Sequence, residues 1–136
     1  MSSIRARSFD AFRARPAPSV LKGRSLAGND RFLLVKRLTL VVAVKPHCDG
    51  CHDFVFGDLR ELEGVEVVVV SSTSGDAEWS GAVQPILVAP ELMNELGVRS
   101  APFYVLIDPS KSLIVSEGTL FSPAQVASEI ARFLNP

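Results

Sequence analysis

Cys48 and Cys51 are the only cysteines in this 136-residue chain, and they stand three apart in His47-Cys48-Asp49-Gly50-Cys51-His52. Two thiols at that spacing on a helical turn are neighbours, close enough to pass between dithiol and disulfide with little backbone movement. The nucleophile of such exchange is the thiolate, so the chemistry is favoured wherever the surroundings favour an anion. A helix N-terminus does this through its unpaired backbone N–H groups and the positive end of its dipole. In the expected division of labour, Cys48 is the exposed nucleophile. Cys51, deeper in the helix, resolves the mixed disulfide.

The elements that must hold this pair are visible on either side of it. Leu38 to Val44 is an unbroken apolar run rich in β-branched residues, which predicts a buried strand. Lys45-Pro46 ends it, because proline brings no N–H to a ladder. Beyond the cysteines, Val55, Leu59 and Leu62 recur at i, i+4 and i+7, which predicts a helix that Gly64 stops. Val65 to Val70 is a second apolar run, so the two strands with a helix between them predict parallel neighbours joined by a crossover.

Ser71 to Gly81 is polar and turn-rich, a loop carrying Trp79, the single tryptophan. Ile86 to Ala89 reads as a short strand and Pro90 to Leu96 as a helix ended by Gly97. Phe103 to Ile107 and Leu113 to Val115 read as a hairpin across the Asp108-Pro109-Ser110-Lys111 turn. Ser122-Pro123-Ala124-Gln125 forms a capping box ahead of Val126, Ile130, Phe133 and Leu134, the apolar face of a closing helix. Before the first cysteine, Val20 to Gly23 and Gly28 to Asp30 read as turns around short extended pieces, with Phe32 to Val35 an edge strand. The order β-α-β-α-β-β-α describes an α/β chain, a central mixed β-sheet flanked by helices.

Composition bounds the function. A content of 47% hydrophobic residues suits one domain with a single core. Net charge is −1, yet up to Lys45 the cations Arg5, Arg7, Arg13, Arg15, Lys22, Arg24, Arg31, Lys36, Arg37 and Lys45 face only Asp10 and Asp30. Residues 1–17 are therefore expected to be a basic, solubilising extension, with Phe9 and Phe12 on a short helical face. Residues 18–136 are expected to be the folded domain. No aromatic interleaving accompanies the arginines, so no nucleic-acid partner is expected. No apolar run approaches the roughly 18 residues of a membrane span, and arginines interrupt any export-signal core. The expected location is cytoplasmic, where a close cysteine pair points to catalysis or metal binding more than to a structural staple.

On these residues the chain resembles the thioredoxin-fold superfamily, and within it the TlpA and MauD-like thiol–disulfide oxidoreductases. The resemblance runs from about Pro18 to the C-terminus. It rests on Cys48-Asp49-Gly50-Cys51 after a buried strand, on Leu96-Gly97-Val98-Arg99-Ser100-Ala101-Pro102 before Phe103-Tyr104-Val105-Leu106-Ile107-Asp108, and on Glu117-Gly118 before the last helix. It implies a thioredoxin-like fold and exchange with protein disulfides or dithiols, served by an electron donor the sequence does not name. It also implies a cis bond before Pro102, with that proline beside the cysteines. Ala101 would pair with a substrate strand, and His47, Asp49 and Gly50 would border the substrate.

The chain departs from the family pattern in ways that matter chemically. His47 stands where a tryptophan is usual, and Asp49-Gly50 where a proline is frequent. Val42 occupies the place of the buried acid that accepts a proton from the second cysteine, and Phe54 that of a glutamate found in TlpA-like members. Asp53 and Glu78 are the nearby acids, so Cys51 is expected to lose its proton to water or a histidine. Around Cys48, the helix terminus and a protonated His47 or His52 favour thiolate, whereas Asp49 opposes it. The alternatives are a binding or scaffold protein with little turnover, a haem attached where Cys51-His52 completes a C-x-x-C-H pattern, and a metal held by ligands within His47 to His52. No cofactor and no metal are expected.

Overall fold

A computed structural model describes residues 14–74 and 76–134; the Phe9 and Phe12 helical face expected from sequence lies outside them. Eight strands form one sheet: β1 (Arg15–Pro16), β2 (Val20–Arg24), β3 (Asp30–Leu34), β4 (Thr39–Val44), β5 (Glu66–Ser71), β6 (Ile86–Val88), β7 (Phe103–Asp108) and β8 (Leu113–Thr119). Their spatial order is β1-β8-β7-β4-β5-β6-β2-β3. The central strand β4 pairs parallel with β5 and antiparallel with β7, so the sheet is mixed. Among the described residues three α-helices join it: α1 (Asp49–Phe56), α2 (Pro90–Glu95) and α3 (Pro123–Leu134).

Strand periodicity divides the core in two. Leu40, Val42 and Val44 of β4 face a cluster with Phe54 and Val55 of α1 and Val126 and Ile130 of α3. Val41 and Ala43 face the opposite cluster, with Leu92 of α2, Leu96, Val105 and Ile107. All six residues of β4 are buried, as a continuous apolar run requires when helices cover both faces.

Three expectations change. The helix carrying the cysteines ends at Phe56, where the Gly57 N–H reaches the Asp53 carbonyl at 2.9 Å and Gly57 itself turns extended (φ −85°, ψ 170°). Leu59 then adopts a left-handed conformation, and Arg60–Leu62 form a separate 3-10 turn. Leu59 and Leu62 still reach the core, so their apolar spacing marks burial but not helical continuity. Next, Val20–Arg24 is a full strand rather than a set of turns, paired from Val20 to Arg24 with β3. Last, Arg15 and Pro16, assigned above to the extension, already pair with β8. Arg15 is held there because its Nη2 donates to the Leu96 carbonyl at 2.7 Å and to Glu117 at 2.5 Å.

Candidate functional site: a cysteine pair at a helix entrance

Cys48 is the N-cap of α1, in extended conformation (φ −120°, ψ 111°), and Cys51 lies in the first turn, its N–H donating to the Cys48 carbonyl at 3.1 Å. The two are joined as a disulfide across 5.3 Å between Cα atoms. Their environments differ. Cys51 is 1% exposed within the cluster that holds Phe54 and Val55, whereas Cys48 is only partly buried at its edge. One sulfur can meet a partner, and the other cannot without movement.

The topology brings a second segment to the same end of the sheet. Phe103 opens β7 opposite Ala43, so Ala101 and Pro102 fall beside the point where β4 hands over to the cysteine turn. The Ala101–Pro102 peptide is cis. Ala101 borders an open hollow of about 310 Å³ that Val44, Lys45, Met93, Val98 and Arg99 also line. A third segment closes the ring. The Leu120 N–H lies 3.4 Å from the Pro102 carbonyl, and a Cβ on Gly50 would sit 3.5 Å from the Leu120 carbonyl. Phe121, next in the chain, is 70% exposed there. The capping box fixes this loop: the Gln125 N–H donates to Ser122 Oγ at 3.1 Å, and Gln125 Oε1 accepts the Phe121 N–H at 2.8 Å.

The remaining candidates occupy distinct places. His47 has φ 60°, a left-handed conformation unfavourable for a residue with a Cβ. Its N–H donates to Glu78 Oε2 at 2.5 Å, and its Nδ1 lies 3.4 Å from Glu78 Oε1. Asp49 is exposed in the first turn of α1. His52 is exposed, 3.6 Å from Asp53 and stacked obliquely on Phe56 at 4.9 Å between ring centroids. Thus Glu78, named from sequence beside Asp53 as a nearby acid for Cys51, instead grips the residue before Cys48. Sequence spacing could not show this across 31 positions.

Val42 is fully buried and opposite Tyr104 in the ladder. Tyr104 is buried but polar-bonded: its hydroxyl donates to Glu129 Oε1 at 2.7 Å and lies 3.3 Å from Ser116 Oγ. Burial pushes its pKa up to about 12; the Ser116 hydrogen bond opposes that rise and Glu129 adds to it. Among the described residues no cluster of three His, Cys, Asp or Glu side chains could hold a metal ion, and no helix is long and apolar enough to cross a membrane.

No family model matches the chain. Over 55 residues, 40% of its length, it is 33% identical to heavy metal-associated isoprenylated plant protein 3 of Arabidopsis thaliana; the match spans only 19% of that protein. Solved structures match far more of it. A thiol:disulfide interchange protein from Bacteroides sp. superposes with a TM-score of 0.65 at 18% identity, covering 92% of this chain and 91% of that one. The thioredoxin domain of a thiol-disulfide oxidoreductase from Bacteroides vulgatus gives 0.63 at 19% identity, covering 89% and 96%. A thioredoxin-family thiol:disulfide interchange protein from Chlorobium tepidum gives 0.62 at 18%, covering 91% and 99%. With its mixed sheet, its helices on both faces and these superpositions, the chain has a thioredoxin-like fold.

Proposed function

We propose that this protein is a thiol–disulfide oxidoreductase acting on protein disulfides or dithiols. The observation that carries the reading is the asymmetry of one bonded pair: Cys48 partly open at the entrance of α1, Cys51 sealed beneath it. In the reducing direction, the Cys48 thiolate attacks a substrate disulfide and expels one substrate thiolate, which takes up a proton. Cys51 then loses its proton and attacks the Cys48 sulfur, expelling the second substrate thiol. The protein is left with the Cys48–Cys51 disulfide and the substrate has gained two electrons. Running backwards, the same steps oxidise a dithiol. Ala101 and Pro102 supply backbone at the cleft, with His47, Asp49 and Gly50 along its rim. An external thiol donor or acceptor resets the pair, so no resident cofactor is needed. With Val42 in the strand, water or a nearby histidine receives the Cys51 proton.

The test is insulin reduction with dithiothreitol, run beside a Cys48→Ser control, together with trapping by Cys51→Ser. Turnover above the control and mixed disulfides on Cys48 support the reading. Turnover no better than the control, with nothing trapped, leaves a binding or scaffold role.

The similarity to a plant protein described as heavy metal-associated favours a second reading, in which the reduced pair captures a soft metal. Thiolates favour soft and borderline ions, Cu(I) among them. Stoichiometric Cu(I) uptake by the reduced protein, lost in Cys48→Ser, would support it.

A further inference from the structure

Glu78 is bound to the one residue of the cysteine turn whose backbone is unfavourable. His47 carries a Cβ yet sits at φ 60°, a conformation that glycine adopts freely and other residues do not. Packing does not hold it there, because its side chain is 89% exposed. The close partners are both oxygens of Glu78, one on the His47 N–H at 2.5 Å and one 3.4 Å from Nδ1. A carboxylate accepting a backbone N–H makes one of the stronger hydrogen bonds available to a protein.

The base of this grip is anchored in the core. Glu78 belongs to the 3-10 turn Asp76–Trp79, and Trp79 is 3% exposed in the same cluster as Cys51 and Phe54. Just beyond, the Ala82 N–H bonds the Trp79 carbonyl at 3.1 Å, and the Val83 N–H bonds the Val55 carbonyl of α1 at 2.9 Å. The segment bearing Glu78 is therefore fastened to the helix whose entrance it braces.

We propose that Glu78 is a positioning residue for Cys48: its carboxylate holds His47 in the left-handed conformation that aims the next residue at the N-terminus of α1. This rests on the oxidoreductase reading for its purpose but not for its geometry. Were His47 to relax to φ < 0, the chain would enter α1 from another direction. Cys48 would then lose part of the helix-terminal stabilisation of its thiolate. Glu78 also places negative charge on the residue next to Cys48, which acts in the opposite sense, so the grip must be separated from the charge.

Two variants separate them. Glu78→Gln removes the charge but keeps an oxygen acceptor, whereas Glu78→Ala removes both. In reduced full-length protein, the rate of Cys48 alkylation by iodoacetamide is expected to be about two- to fivefold higher in Glu78→Gln than in Glu78→Ala, the factor set by the helix-terminal stabilisation of the thiolate that is lost. In the His47→Gly background the same ratio is expected to fall to about one, because glycine needs no support. A ratio near one with His47 in place overturns the proposal, and so does a ratio that stays high with His47→Gly, which would indicate general disruption of the loop. Insulin reduction with dithiothreitol, measured in parallel, keeps the two readings apart. If the protein is no oxidoreductase, turnover stays at the Cys48→Ser level in every form while the alkylation ratio persists.

Discussion

Reduction of the Cys48–Cys51 bond followed by a limiting amount of a small alkylating agent should label the two sulfurs very unequally. Cys51 is 1% exposed, and reaching it requires the first turns of α1 to open. That opening would also expose Phe54 and Val55, both at 0%. Returning one such side chain to water costs about 1.5–3 kcal/mol, so the two together set a floor of about 3 kcal/mol on the opening. With tenfold per 1.4 kcal/mol, the fraction of molecules presenting Cys51 is below about one in a hundred. Cys48 needs no opening and has the helix terminus to favour its thiolate, which widens the gap. Quenching at intervals and measuring the modified peptides by mass spectrometry gives both rates. Labelling of Cys48 at least a hundredfold faster is the expected result. Comparable rates, or preference for Cys51, would refute the assignment of nucleophile and resolving sulfur.

Three further outcomes follow from other parts of the molecule. Tyr104 is the only tyrosine, so phenolate absorbance reports it alone; it should titrate near pH 12 in the folded protein, and a midpoint near 10 would contradict its burial. Since the unfolded chain releases that proton from about pH 10, the folded state binds more protons between about 10 and 12. The associated stability is complete below pH 10 and lost as pH rises through 12, about 2–3 kcal/mol in all, measurable as a falling urea midpoint that Tyr104→Phe should lessen. Gly23→Ala would place a Cβ 2.7 Å from Leu87 Cγ, 2.8 Å from Ala89 Cβ and 2.9 Å from the Val88 carbonyl; overpacking of this kind costs about 1–3 kcal/mol, and an unchanged urea midpoint would argue against that close crossing. Ser122→Ala removes the cap on the Gln125 N–H and should cost about 1 kcal/mol of thermal or urea stability, with no change if the cap carries no load.

What the sequence reveals follows its periodicities. The β-branched apolar run Leu38 to Val44 predicts the buried strand that Thr39–Val44 forms, and Ser122-Pro123-Ala124-Gln125 opens α3 with the reciprocal hydrogen bonds its residues predict. The spacing of Val55, Leu59 and Leu62 is equally regular but does not force a helix: Gly57 leaves the helical conformation, and the later leucines reach the core from a separate turn. Burial is written in apolar spacing, whereas backbone continuity depends on which glycine the chain uses to turn. β2 was obscured because Lys22, Gly23 and Arg24 dilute the strand signal of Val20 and Leu21. At the site, residue types disclose the cysteine pair and the segment before Pro102. The partner of His47 is fixed by how the Asp76–Trp79 turn returns over α1, a matter of tertiary path that local pattern does not encode.

Arg15 makes the start of the folded unit a practical matter. Its guanidinium ties the last carbonyl region of α2, where the chain departs for Ala101 and Pro102, to Glu117 on the strand alongside β7. Shortened forms beginning after residue 17 would leave that carbonyl and that carboxylate without their shared clasp, and would free the stretch leading into the cis proline. Any trimmed version made for study should therefore begin upstream of Arg15, so that the cleft wall keeps the strap that fastens it to the sheet.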